Sequence, residues 1–218
     1  RLQFGLEYDP ECGGYEIDVG GEAFGRAFRW LATAAEETFA RFKAVPFHYY
    51  GGSSKARKDL EHWQAEVIVD AIKQSGRAPI LLDWSHSPIK AVRVPDKVWG
   101  GFGNGDAATM AAMIRLSEAF IGIDSGPGKV ASATDTPSLI VWTKHHPARY
   151  HDPAPNTTHL IPTDWRGMQP IEWDAEREKF FEENYRYRTY RGEHGLVAEA
   201  VRWLQETLGW TGWVDAGV

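Results

Sequence analysis

The apolar residues of the chain change their spacing repeatedly between residues 44 and 165, from short continuous runs to helical spacing and back. The runs are rich in branched aliphatic and aromatic residues and end in turn residues, which is typical of buried strands. They occupy residues 45–50, 79–83, 120–123, 138–142 and 159–161, with a weaker run at 98–99. These runs are therefore predicted to form the strands of one sheet.

Apolar residues at every third or fourth position predict helices between these strands, over residues 59–76, 106–117 and 127–133. An alternation of strands and helices is typical of a parallel sheet with right-handed connections. The predicted fold class is an α/β, Rossmann-like, doubly wound parallel sheet with helices on both faces. Ligands of such sheets bind beyond the carboxyl ends of the strands.

Three parts of the chain differ in their pattern of apolar and polar residues. Residues 1–43 combine a turn-rich segment with an amphipathic helix, residues 44–165 hold the predicted sheet domain, and residues 166–218 form a predicted helical extension. Within the extension, residues 185–191 interleave tyrosines and arginines, with one threonine among them. Such a run can stack nucleic-acid bases, but in an acidic chain a solvated, partly packed linker is favoured.

Composition narrows the class of protein. The chain has 218 residues, 43% of them hydrophobic, and a net charge of -6, which argues against a general binder of nucleic acid because such proteins carry a basic face. Cys12 is the single cysteine, so no internal disulfide can form. No apolar run reaches the roughly 18 residues of a transmembrane helix. We expect a cytoplasmic protein without a transmembrane segment.

The strand predicted at residues 120–123 ends in a glycine turn that opens a helix. This turn and the start of its helix contain Asp124, Ser125, Gly126, Pro127 and Lys129. Free N–H groups at a helix start attract phosphate, and a lysine adds a full positive charge. The turn predicts a phosphate or diphosphate site, with an ordinary strand-to-helix turn as the alternative.

A second loop of glycine, serine and lysine follows the strand predicted at residues 45–50. It contains Ser53 and Ser54, then Lys55 and Lys58, and leads into the next helix. Because parallel strands end at the same edge of a sheet, both loops are expected at one edge.

The order of these motifs resembles the carboxyl-terminal domain of the family 9 glycosyltransferases, the heptosyltransferase-like enzymes. The resemblance covers about residues 44–165 and rests on Gly-Gly-Ser-Ser, a later Lys and Trp, and Ile-Gly-Ile-Asp-Ser-Gly-Pro. It implies the GT-B architecture and binding of a nucleotide-diphosphate sugar, such as an ADP-, GDP- or UDP-sugar. It also implies an inverting transfer that needs neither a metal nor another cofactor.

By the same resemblance, Asp124, Ser125 and Gly126 lie at the donor diphosphate. Ser53 and Ser54 stand where family members present hydroxyls to it. Family members also have a lysine that precedes a tryptophan. In this chain Lys58, or equally Lys55, corresponds to that lysine.

The chain departs from the family pattern in two ways. Lys129 stands where the family has histidine, and residues 1–43 are too short for the acceptor domain with its catalytic carboxylate. The acceptor half is therefore expected from a longer chain or from another subunit. The alternatives are a nucleotide-sugar-binding or interaction domain without catalysis, and a sugar-nucleotide epimerase of similar architecture.

The motifs identify neither the general base nor the residues that recognise the nucleotide base, so both are left as sets of candidates. Candidates for the general base near strand ends are Asp83, His86, His145 and His146, and recognition of the nucleotide base is expected around Trp84 or residues 103–105. The histidines do not follow a recognised metal-ligand spacing.

Overall fold

The computed structural model describes residues 17, 19–38, 43–51, 58–82, 89, 91–93, 107–168 and 174–212. Its strands are β1 (Ala44–His48), β2 (Ala78–Leu81), β3 (Val92–Arg93), β4 (Phe120–Ile123), β5 (Ser138–Val141), β6 (Thr157–Pro162) and β7 (Arg186–Tyr190). They form one seven-stranded sheet in the order β3-β2-β1-β4-β5-β6-β7. Every neighbouring pair is parallel. The predicted parallel α/β fold is confirmed.

Helices lie before, between and after these strands in the described part of the chain. They are α1 (Gly21–Thr38), α2 (His62–Gln74), α3 (Ala107–Arg115), α4 (Gly126–Ser132), α5 (Pro147–Tyr150), α6 (Ala175–Asn184) and α7 (Gly192–Leu208), with a 3-10 helix at Trp165–Gly167. Every helix of the described part is too short or too polar to span a lipid bilayer.

The core consists of two apolar layers, one on each face of the sheet. Alternate strand residues enter opposite layers: Phe47 and Ile121 contribute to the first, and Phe120 and Ile140 to the second. Helices α2 and α7 complete the first layer, whereas α1, α3, α4 and α6 contribute to the second. Helices on both faces explain why the central strands are buried along their whole length.

The segment predicted as a linker, residues 185–191, contains the edge strand β7. Tyr187 packs against the second apolar layer, and the hydroxyl of Tyr190 donates to the carbonyl of Trp142 at 2.9 Å. The linker prediction was wrong because an edge strand is half-exposed, so its alternating arginines do not exclude it from a sheet.

Two other predictions concern the third strand and the division of the chain into parts. The third strand lies at Val92–Arg93, while the predicted position at residues 98–99 lies outside the described residues. The division of the chain at residues 43 and 165 stays a prediction, although the sheet itself continues to Tyr190.

Candidate functional site

The direction in which the sheet is built reverses between β1 and β4. From β1 the chain moves outward through β2 to β3, and it then returns to add β4 on the other side of β1. The two central strands pair directly, with Phe47 opposite Ile121 and His48 opposite Gly122. In open α/β sheets, ligands bind at the carboxyl ends of the strands flanking such a reversal.

A histidine and a serine meet at this point. His48, the last residue of β1, is 1% exposed, and its Nδ1 lies 3.0 Å from the Oγ of Ser125. Ser125 is the residue before the first residue of α4, and its hydroxyl also lies 3.1 Å from the carbonyl of Ile123. Burial, and secondarily the nearby Lys58 ammonium, lowers the pKa of His48 to about 3. The imidazole is therefore neutral at ordinary pH.

A second histidine is bound by the aspartate that follows β4. Asp124 is 7% exposed, and its Oδ2 lies 3.2 Å from the Nδ1 of His145, in the loop after β5. The His145 ring also lies 5.0 Å from that of Tyr150 between centroids. A carboxylate that binds one ring nitrogen orients the imidazole and leaves the other nitrogen for a ligand.

Two lysines add positive charge near these pairs. A Cβ atom on Gly51 would lie 3.4 Å from the Cε of Lys58, so Lys58 lies over the carboxyl end of β1. Lys129 is exposed on α4. Neither lysine forms an ion pair with a residue in the described part of the chain.

Helix α4 begins one residue earlier than predicted. Gly126 is its first residue and Pro127 its second, because the cap is Ser125. Lys129 is consequently the fourth helical residue. Gly128 lies against the sheet: a Cβ atom there would lie 3.0 Å from the carbonyl oxygen of Ile123. α4 thus approaches the sheet closely at this position.

Several residues predicted for the site lie outside the described residues. They are Ser53, Ser54, Lys55, Asp83, Trp84, His86 and residues 103–105. Their assigned roles stay predictions.

His146, a predicted candidate for the base, is instead a core residue. It is fully buried, and its ring lies 5.1 Å from that of Trp165 and 4.5 Å from that of Phe181. Its Nδ1 accepts the backbone N–H of Ala148, which caps α5. Burial lowers the pKa of His146 to about 3. A buried, neutral helix cap is poorly placed to accept a substrate proton.

His48 is not among the residues predicted from the sequence. A polar residue at the end of an otherwise buried strand was the available signal, because strand ends carry the ligand-binding groups of such sheets. Within the described ranges, no three histidine, cysteine or acidic side chains converge so as to hold a metal ion.

The sequence matches no protein-family model and no curated protein. Two solved structures nevertheless share its fold. A family 9 glycosyl transferase from Veillonella parvula DSM 2008 superposes with a TM-score of 0.59 over 90% of this chain and 54% of its own, at 14% identity. An E. coli ADP-heptose LPS heptosyltransferase II superposes with a TM-score of 0.51 over 88% of this chain and 53% of its own, at 12% identity.

The chain therefore spans about half the length of each of these structures. Which half it matches stays a prediction. At the level of the fold, the resemblance that the motifs predicted is confirmed: this chain has the α/β fold of the family 9 glycosyltransferases.

Proposed function

We propose that this chain is the donor-binding part of a glycosyltransferase and binds a nucleotide-diphosphate sugar where β1 and β4 end. The observation that carries the proposal is the meeting of His48 and Ser125 at the reversal point of the sheet. The fold shared with family 9 glycosyltransferases supports the choice of ligand.

The charges around this point suit a diphosphate. Lys58 and Lys129 supply ammonium groups that no described acidic group neutralises, and Ser125 stands at the start of α4. Donors arranged before reaction stabilise the negative charge that develops on a departing diphosphate. With these cations in place, the transfer needs no metal ion.

The proposed reaction is a single displacement with inversion at the sugar. The acceptor oxygen forms a bond to the anomeric carbon while the bond from that carbon to the diphosphate oxygen breaks. The acceptor proton passes to a general base, and the electron pair leaves with the nucleoside diphosphate. The site that binds the acceptor and the general base that takes its proton belong to an acceptor domain or subunit that is not part of these 218 residues. We therefore expect no transfer by this chain alone.

Calorimetric titration with ADP-, GDP- and UDP-sugars tests the proposal. At least one should bind with a dissociation constant below about 1 mM, near -4 kcal/mol. Weaker binding by every nucleotide sugar would contradict a donor site. Binding without transfer, even when the acceptor half is supplied, would identify a nucleotide-sugar-binding module without catalysis.

A further inference from the structure

A cavity lies at the carboxyl ends of β6 and β7, away from the proposed donor site. Its volume of about 480 Å³ falls within the roughly 300–1,000 Å³ that is typical of small-molecule sites. The residues that line it are Pro162, Thr163, Asp164, Tyr190, Arg191 and Gly192. Neighbouring strands lie about 4.8 Å apart, so three strand spacings, roughly 14 Å, separate this cavity from the junction of β1 and β4.

Hydrogen bonds fix the walls of this cavity. The N–H of Thr163 donates to the carbonyl of Tyr190 at 2.9 Å, which joins the ends of the two strands. The Tyr190 hydroxyl in turn donates to the carbonyl of Trp142 at 2.9 Å. Burial, and secondarily the carboxylate of Asp164, raises the pKa of Tyr190 to about 12, so this hydroxyl keeps its proton at ordinary pH. The tyrosine ring is therefore a preformed wall.

Three polar side chains at the cavity have no partner within the part of the chain that the structure describes. They are the guanidinium of Arg191, the carboxylate of Asp164 and the hydroxyl of Thr163, all on exposed residues. Arg191 precedes α7 and Asp164 precedes the 3-10 helix, but neither side chain caps its helix. All three groups are thus available to a ligand.

The two opposite charges restrict the chemistry of that ligand. Asp164 repels an anion and Arg191 repels a cation, so a ligand without net charge fits best. A hydroxyl group can donate to the carboxylate, accept from the guanidinium, and do both with Thr163. The rings of Pro162 and Tyr190 add apolar surface, which suits the C–H groups on one face of a sugar ring.

We infer that this cavity binds a saccharide, with a sugar ring against Tyr190 and its hydroxyl groups between Asp164 and Arg191. The inference goes beyond the proposed function and does not depend on it, because the cavity contains none of the residues assigned to the nucleotide sugar.

Ligand-observed NMR titration with the methyl glycosides of glucose, galactose, mannose and N-acetylglucosamine tests the inference. At least one should bind with a dissociation constant below about 10 mM, a weak affinity that is ordinary for a ligand of this size. R191Q and D164N remove one charge each and nearly keep the shape of the side chain. Each should weaken this binding about tenfold or more, because hydrogen bonds to charged groups are lost. Circular dichroism of each variant verifies folding.

Two variants serve as matched controls. R202Q changes another exposed arginine, farther along α7, and D135N changes an exposed aspartate in the turn before β5. That turn lies at the amino ends of the strands, at the opposite edge of the sheet from the cavity. Both variants should bind the glycoside as the wild type does.

The same titration with inorganic phosphate and with glycine tests the other kinds of ligand. Tighter binding of either one than of every glycoside would overturn the inference in favour of an anion or zwitterion site. Absence of glycoside binding, or an affinity that R191Q or D164N leaves unchanged, would also overturn it. None of these results bears on the proposed donor site, because no probe is a nucleotide sugar and the changed residues lie away from β1 and β4.

Discussion

Ser125 shows how one side chain links the local fold to the candidate site. As the cap of α4 it occupies an extended conformation, and its hydroxyl lies within hydrogen-bond distance of both His48 and the Ile123 carbonyl. A hydroxyl has one proton, so when it donates to the carbonyl it accepts from the imidazole N–H. Its oxygen is therefore fixed at the junction of β1 and β4, where a ligand is proposed to bind.

Lys129 gives a prediction at the same scale. If its ammonium contacts a phosphate, Lys129→Ala should weaken nucleotide-sugar binding by about 1.5–3 kcal/mol, the range for hydrogen bonds to charged groups. Folding stability should be nearly unchanged, because Lys129 is exposed. Calorimetry at low and moderate salt measures the change.

Lys73→Ala is the matched control for Lys129→Ala. Lys73 is a partly exposed lysine in the last turn of α2, within 3.4 Å of Asp70. This turn lies at the amino ends of the strands, away from the candidate site. Removal of the Lys73 side chain should leave affinity unchanged. Equal affinity of Lys129→Ala and the wild type would mean that Lys129 is a solvated surface residue.

At the scale of elements, the packing of α4 on the sheet depends on Gly128. A Cβ atom there would lie 3.0 Å from the Ile123 carbonyl oxygen and 3.2 Å from Ile140 Cδ1. A backbone carbonyl in a central strand cannot move aside, so Gly128→Ala should lower the free energy of unfolding by about 1–3 kcal/mol. Urea denaturation measures this value.

Gly126→Ala provides the comparison within the same helix. Among the described residues, and apart from its chain neighbours and the nearby backbone of its own helix, no atom lies within 4 Å of a Cβ built on Gly126. Alanine should therefore leave stability unchanged or raise it by about 0.4–1 kcal/mol. If both substitutions had the same effect, close contact between α4 and β4 would not explain the requirement for glycine at position 128.

The elements that the sequence predicts best are those buried on both faces. β1, β4 and β5 are buried along their whole length and are largely apolar, so their apolar runs stand out from the neighbouring sequence. β7 and β3 lie at the two edges of the sheet, where one side of the strand has no partner and the pattern becomes mixed. Patterns of buried apolar residues therefore do not predict these edge strands.

Local sequence patterns also predict only part of the candidate site: they indicate residues, but not the contacts between them. Asp124, Ser125 and His145 were selected from the sequence because they follow apolar runs. That Asp124 binds His145, and that Ser125 binds His48, depends on the placement of β4 beside β1 and β5. Strand order arises from packing over the whole sheet, and local spacing does not contain it.

At the scale of the whole molecule, buried histidines link stability to pH. Burial lowers the pKa of His48 and His146 to about 3, that of His151 to about 4, and that of His159 well below its usual value. The folded protein keeps these rings neutral, whereas the unfolded chain protonates them below about pH 6.5. The unfolded state then binds more protons, so the free energy of unfolding falls as pH falls through 6.5.

Each buried histidine should lower the free energy of unfolding by about 1.4 kcal/mol for every pH unit below 6.5, until its folded pKa is reached. For the four histidines together, the loss in the free energy of unfolding approaches the whole stability of a typical domain, about 5–15 kcal/mol. Urea unfolding between about pH 7.5 and 5.5 measures the slope, in a range where acidic side chains change little.

His159→Gln tests whether buried histidines cause this slope. Glutamine can still accept the N–H that Trp142 donates to His159 at 3.0 Å, and it does not titrate. The variant should lose about a quarter of the slope, whatever its stability at pH 7.5. His194→Gln, which changes an exposed histidine on α7, is the control and should retain the full slope. A free energy of unfolding that stays constant from pH 7.5 to 5.5 would show that the four rings are protonated equally in the folded and unfolded chain.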